Sequence, residues 1–100
     1  GGFEMAILMR MDWTGLSTEQ YDAVRKLVNW EGDQPPGGLA HVAAFDDGGM
    51  HVNDIWESRE ELDRFVGERL MPAVAQAGIE SQPDVTVWEA HAVYIPGVTH

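Results

Sequence analysis

Cysteine is absent from the 100-residue chain, which excludes disulfides, thiolate metal sites, cysteine nucleophiles and iron–sulfur clusters. Basic residues are scarce. Six Lys and Arg stand against seventeen Asp and Glu, a formal charge of −11 that repels phosphate backbones and anionic headgroups. Neither nucleic acid nor a membrane is expected as a partner. No apolar run approaches the roughly 20 residues that span a bilayer, and no charged segment precedes an apolar one at the start. A cytoplasmic location is the default expectation. Gly1 to Glu4 stand ahead of Met5 and read as a remnant preceding the natural start, which leaves residues 5–100 as one domain. A hydrophobic fraction of 44% suits an ordinary globular core rather than disorder.

The apolar run Met5 to Trp13, stopped by Thr14 and Gly15, has the length of a buried strand. Ser17 with Gln20 forms a capping-box pattern ahead of Tyr21, Val24, Leu27 and Val28, which predicts an amphipathic helix over Thr18 to Asn29. The prolines and glycines of Glu31 to Gly38 end it in a loop, a plain connection or a lid over a pocket mouth. Leu39 to Phe45 and Met50 to Trp56 flank Asp47-Gly48, a strong signal for a two-residue hairpin turn. Ser58 to Gly78 carries an apolar stripe behind a Ser58 cap, with Pro72 expected to kink the helix and loosen its last turns. Val85 to Ile95 is rich in β-branched and aromatic residues and reads as the last strand.

The order βαββαβ is that of an α+β ferredoxin-like fold, one antiparallel sheet in the order 4-1-3-2 with two helices on one face. The strands are apolar at both parities: Met5, Ile7, Met9 and Met11 on one side of the first, Ala6 and Leu8 on the other. The uncovered side predicts a homodimer in which two sheets pack face to face.

The hairpin turn sets which side chains are neighbours. Counting outward from it places His41 opposite Asp54 and Leu39 opposite Trp56, with His41, Phe45, Val52, Asp54 and Trp56 on one face. A carboxylate beside an imidazole sets its tautomer and raises its basicity, as a general base near neutral pH requires. The same pair is equally a hydrogen-bonded feature of an edge hairpin. His91 shares its parity with Glu89, and Arg10 is placed on the neighbouring strand; such polar residues line a pocket or satisfy one another. A metal site from His41, His51 and His91 is not expected, because His41 and His51 have opposite parity. Trp56 and Trp88 lie within strands and suit a core, an interface or a ligand ring.

The run Asp54, Ile55, Trp56, Glu57, Ser58 leading into a long helix, with the aromatic last strand, resembles the antibiotic biosynthesis monooxygenase-like family of dimeric α+β barrels. The resemblance implies oxidation of quinol-like aromatics without metal or flavin, and a strand tryptophan corresponding to Trp56. Members with that activity hold an asparagine near the tryptophan; here the nearest is Asn53, on the opposite face of a regular strand. Haem-degrading relatives supply a histidine from the second helix, and Ser58 to Gly78 has none, which argues against haem degradation.

Two functions remain open at this level. In one, a cofactor-free enzyme acts on a hydrophobic aromatic or polyketide-like molecule by oxygenation, isomerisation or cyclisation, with His41 and Asp54 moving a proton and Trp56, Phe45, Arg10 and His91 around the substrate. In the other, the dimer binds a small molecule or serves as a structural module without catalysis. A packed interior around Trp56 together with an exposed His41 favours the second.

Overall fold

The computed structural model describes residues 5–97. Four strands form one antiparallel sheet: β1 (Ile7–Thr14), β2 (Gly38–Asp46), β3 (Gly49–Trp56) and β4 (Asp84–Glu89), in the order β2-β3-β1-β4. This is the ferredoxin-like order 4-1-3-2 read from the other edge. Helix α1 (Thr18–Val28) follows β1, and a second helical segment follows β3 as α2 (Arg59–Phe65), a π-helical turn (Val66–Leu70) and α3 (Met71–Gln76).

Local chemistry accounts for the element ends. The Ser17 side chain accepts from the Gln20 amide while the Gln20 side chain accepts from the Ser17 amide, so both capping-box bonds form. Helix α1 ends at Val28 with Asn29 in the left-handed region, φ 53°, rather than continuing through Asn29. Ser58 caps α2 through the Glu61 amide. Pro72 does not loosen the end of the second helix. The chain widens into the π turn immediately before it, so the missing N–H falls where the regular i→i−4 ladder is already interrupted. The helix closes firmly, with Gly78 N–H on Ala75 and Ile79 N–H on Val74, the two bonds of a Schellman motif.

The hairpin pairs Asp46 with Gly49 and His41 with Asp54, as the turn requires. A bulge between Gly38 and Ala40 then puts Gly38, not Leu39, opposite Trp56. The extra residue on one strand shifts the register without changing the face on which His41 lies. Two strand ends also differ from expectation. The first strand begins at Ile7, leaving Met5 exposed, and the last stops at Glu89 rather than Ile95.

Alternation along β1 decides the core: Ile7, Met9, Met11 and Trp13 are buried under the helices, while Arg10 and Thr14 are exposed. They join Met50, Val52 and Trp56 of β3, Val24 and Val28 of α1, and Leu62, Phe65, Ala73 and Val74 of the second helical segment. The opposite face is uncovered in the single chain, with Val42 62% and Trp88 49% exposed. Among the described residues no helix is long and apolar enough to cross a membrane.

Candidate functional site

Asp54 is the one buried charged side chain among the described residues. A buried carboxylate is costly unless its oxygens are hydrogen-bonded, and both are: Oδ1 lies 2.6 Å from His41 Nδ1, and Oδ2 accepts from Trp56 Nε1 at 3.3 Å. Cross-strand pairing makes the first contact. The period-two alternation of β3, which sets residues 54 and 56 on one face, makes the second.

His41 continues the chain outward. Its Nε2 lies 2.8 Å from the Tyr21 hydroxyl on α1. Burial pushes the Tyr21 phenol above its ordinary value, with Arg25 acting in the opposite direction. With the imidazole hydrogen on Nδ1 toward Asp54, Nε2 is the nitrogen that accepts from the phenol. Its ring stacks on Tyr21 with an interplanar angle of 7°, and Phe45 meets Tyr21 edge-on at 5.8 Å.

Trp30, just beyond α1, closes over this group. Its ring lies 5.4 Å from His41, 5.2 Å from Trp56 and 5.5 Å from Phe65. Gly38 makes that position possible, since a Cβ there would stand 2.8 Å from the indole. The loop carrying Trp30 is tied down: the Arg69 guanidinium donates to the carbonyls of Val28 at 2.6 Å and Asp33 at 2.7 Å, and Arg25 pairs with Glu31 at 2.7 Å.

A cavity of about 70 Å³ lies against Tyr21, Trp30, His41 and Asp54, with apolar walls that include Met9, Met11 and Phe65. A second, about 280 Å³, lies on the β4 side, bounded by Val85, Val87 and the Arg59–Asp63 pair. Met9, Met11, Leu62, Val66 and Leu70 border both and form the partition between them. No three histidine, aspartate or glutamate side chains among the described residues are grouped to hold a metal ion.

The residues singled out in the sequence are distributed unevenly. His41 and Asp54 come together at the cavity wall. Trp56 does not line the cavity: it is fully buried behind Trp30 and Phe65, so its ring is core rather than a platform. Phe45 stands one layer back, against Tyr21. Arg10 points to the uncovered side of the sheet and binds Asp12, because even positions of β1 face away from the helices. His91 lies beyond the end of β4 and is exposed, so it has no place in the cavity. Tyr21 and Trp30 were missed as site residues. Helical periodicity marks Tyr21 as core, and only the packing of α1 across the sheet brings its hydroxyl to His41.

No family model matches the chain, and no curated protein does. Solved structures match across nearly its whole length. A protein of unknown function from Nitrosomonas europaea superposes with a TM-score of 0.70 at 16% identity, covering 97% of this chain and 99% of its own. A protein from Caulobacter crescentus provisionally named an antibiotic biosynthesis monooxygenase gives 0.66 at 17%, covering 91% and 94%. SnoaB, a cofactor-independent oxygenase from Streptomyces nogalater, gives 0.61 at 12%, covering 88% and 93%. The fold is thus that of the antibiotic biosynthesis monooxygenase-like structures, as the Trp-Glu-Ser exit and element order suggested.

Proposed function

We propose that the protein is a cofactor-independent oxygenase acting on a hydrophobic hydroxyaromatic molecule, with His41 as the base and Asp54 as the group that orients it. The observation that carries this reading is the imidazole anchored to a buried carboxylate at the wall of an apolar cavity, the arrangement that holds a base in one tautomer. The shared fold with a cofactor-independent oxygenase supports the reaction class.

The chemistry needs only a proton acceptor and dioxygen. Loss of the hydroxyl proton leaves an electron-rich aryloxide, which donates an electron pair from its para carbon to O2. A C–O bond forms there, and the peroxide oxygen takes up a proton. Removal of the hydrogen on that carbon then breaks the O–O bond and expels hydroxide, which leaves as water and gives the quinone. One oxygen atom enters the product and the other becomes water, all four electrons coming from the substrate. His41 accepts the first proton, returns it to the peroxide and accepts the second.

The protomer is also inferred to pair through the uncovered sheet face, where Leu8, Val42, Ile55 and Trp88 share one side. A ligand with more than one ring would extend from the small cavity past the methionine partition into the larger one, since an apolar cavity known to take up a single benzene measures about 150 Å³. Methionine suits such a partition because its unbranched side chain repacks readily.

His41→Gln is the decisive variant, because an amide still donates to Asp54 but takes up no proton. Oxygen uptake and quinone absorbance with 1-naphthol should fall about 10²- to 10⁴-fold with an unchanged melting temperature. Full activity in this variant sinks the assignment of His41. The packed surroundings of Trp56 and the small first cavity favour a second reading, a noncatalytic binding protein, which predicts ligand binding by calorimetry with no oxygen uptake by the wild type.

A further inference from the structure

Both nitrogens of His41 are engaged, Nδ1 by Asp54 and Nε2 by the Tyr21 hydroxyl, and Trp30 covers the ring from a centroid distance of 5.4 Å. A substrate hydroxyl therefore has no open nitrogen to approach. The Tyr21 oxygen does have capacity left, since a phenol donates one hydrogen bond while still accepting others, and Tyr21 lines the same cavity as His41 and Asp54. We propose that Tyr21, not His41, is the residue that touches the reacting hydroxyl, and that the proton reaches the imidazole through it. This rests on the base reading above and extends it to the group in contact with substrate.

In the transfer, the substrate O–H breaks as its proton moves to the Tyr21 oxygen. The original Tyr21 proton moves at the same time to His41 Nε2. The electron pair stays on the substrate oxygen, Tyr21 ends neutral as it began, and His41 becomes an imidazolium whose Nδ1–H remains on Asp54. No other oxidant or reductant takes part. The geometry suits a relay. The Tyr21 ring is held between the stacked imidazole and the edge of Phe45, and a relay needs its middle oxygen fixed at hydrogen-bond distance from its acceptor, as 2.8 Å provides.

The test uses the whole protein with Tyr21→Phe and two probes. With 1-naphthol, kcat should fall at least tenfold while KM stays within twofold, and the wild-type solvent isotope effect should vary with deuterium fraction as two protons in flight, reduced to one in the variant. With p-nitrophenol, which does not react with oxygen, the wild type should shift the bound probe toward its yellow ionised form, and Tyr21→Phe should bind it without that shift. The second probe needs no turnover, so it still reports on Tyr21 if the oxygenase reading fails. The inference is overturned if p-nitrophenol does not bind, if wild type and variant ionise it equally, or if the variant keeps kcat within threefold of the wild type. A purely structural Tyr21 would raise KM and lower the melting temperature but leave the isotope pattern alone.

Discussion

His51 shows how differently two histidines on one hairpin are used. It lies on the uncovered face, with Nδ1 2.6 Å from Asp12 and Nε2 2.9 Å from Asp46, so two acceptors call for both nitrogens to be protonated. The Asp12 hydrogen bond, seconded by Asp46, raises the imidazole above its ordinary value. Arg10 and then His51 lower the Asp12 carboxyl, and His51 lowers that of Asp46. With its folded value raised, His51 contributes stability that is complete below about pH 6.5, the value of a free imidazole, and is lost as pH rises from there through the raised folded value. The carboxyls work in the other direction: their contribution is present above about pH 4 and fades as pH falls through their lowered values. The melting-temperature difference between wild type and His51→Gln should therefore peak in mildly acidic solution and shrink toward pH 8. A difference that is flat with pH would remove the charged network. The pairing of His41 with Asp54 was legible in the hairpin count, whereas the contact of His51 with Asp12 was not, because Asp12 comes from a strand outside the hairpin.

At the scale of elements, the hairpin and the second helical segment carry opposite demands on glycine. Gly49 has φ 132°, and a Cβ there would stand 2.3 Å from the Trp13 carbonyl oxygen and 2.6 Å from the Gly15 nitrogen. Those atoms are backbone and have no side-chain freedom to yield. Gly49→Ala should destabilise by at least about 1–3 kcal/mol, whereas Gly67→Ala, in the π turn with nothing within 4 Å, should stabilise by about 0.5–1 kcal/mol. Urea denaturation of both variants checks the pair of signs; equal effects would mean that the close approach at Gly49 does not constrain the turn. The π turn itself was not legible. Pro72 announces a disturbance in the helix, but whether the chain kinks, frays or widens by one residue depends on what it packs against. Here the segment also sends Arg69 across to the carbonyls at the end of α1. The loop of residues 31–38 has the composition of a mobile lid, yet the bonds from Arg69 to Asp33 and from Arg25 to Glu31 tie it to the helices beside Trp30.

At the scale of the whole molecule, the sheet has one face too many for two helices. Native mass spectrometry should give about twice the 11.1 kDa monomer mass, and Trp88→Glu, a charge on the half-exposed β4 tryptophan of the uncovered face, should give the monomer. A monomeric wild type would overturn face-to-face pairing. What the sequence by itself determined is the order of elements, the ferredoxin-like fold and the hairpin register that joins His41 to Asp54, because strand alternation, caps and a two-residue turn are local and strictly periodic. The tertiary structure alone decided that Trp56 is core, that Arg10 and His91 lie outside the cavity, and that Tyr21 and Trp30 enclose the imidazole. Those outcomes turn on a bulge in β2, the early end of β4 and the way α1 packs across the sheet, and packing between elements distant in the chain leaves no period in the sequence from which to read it.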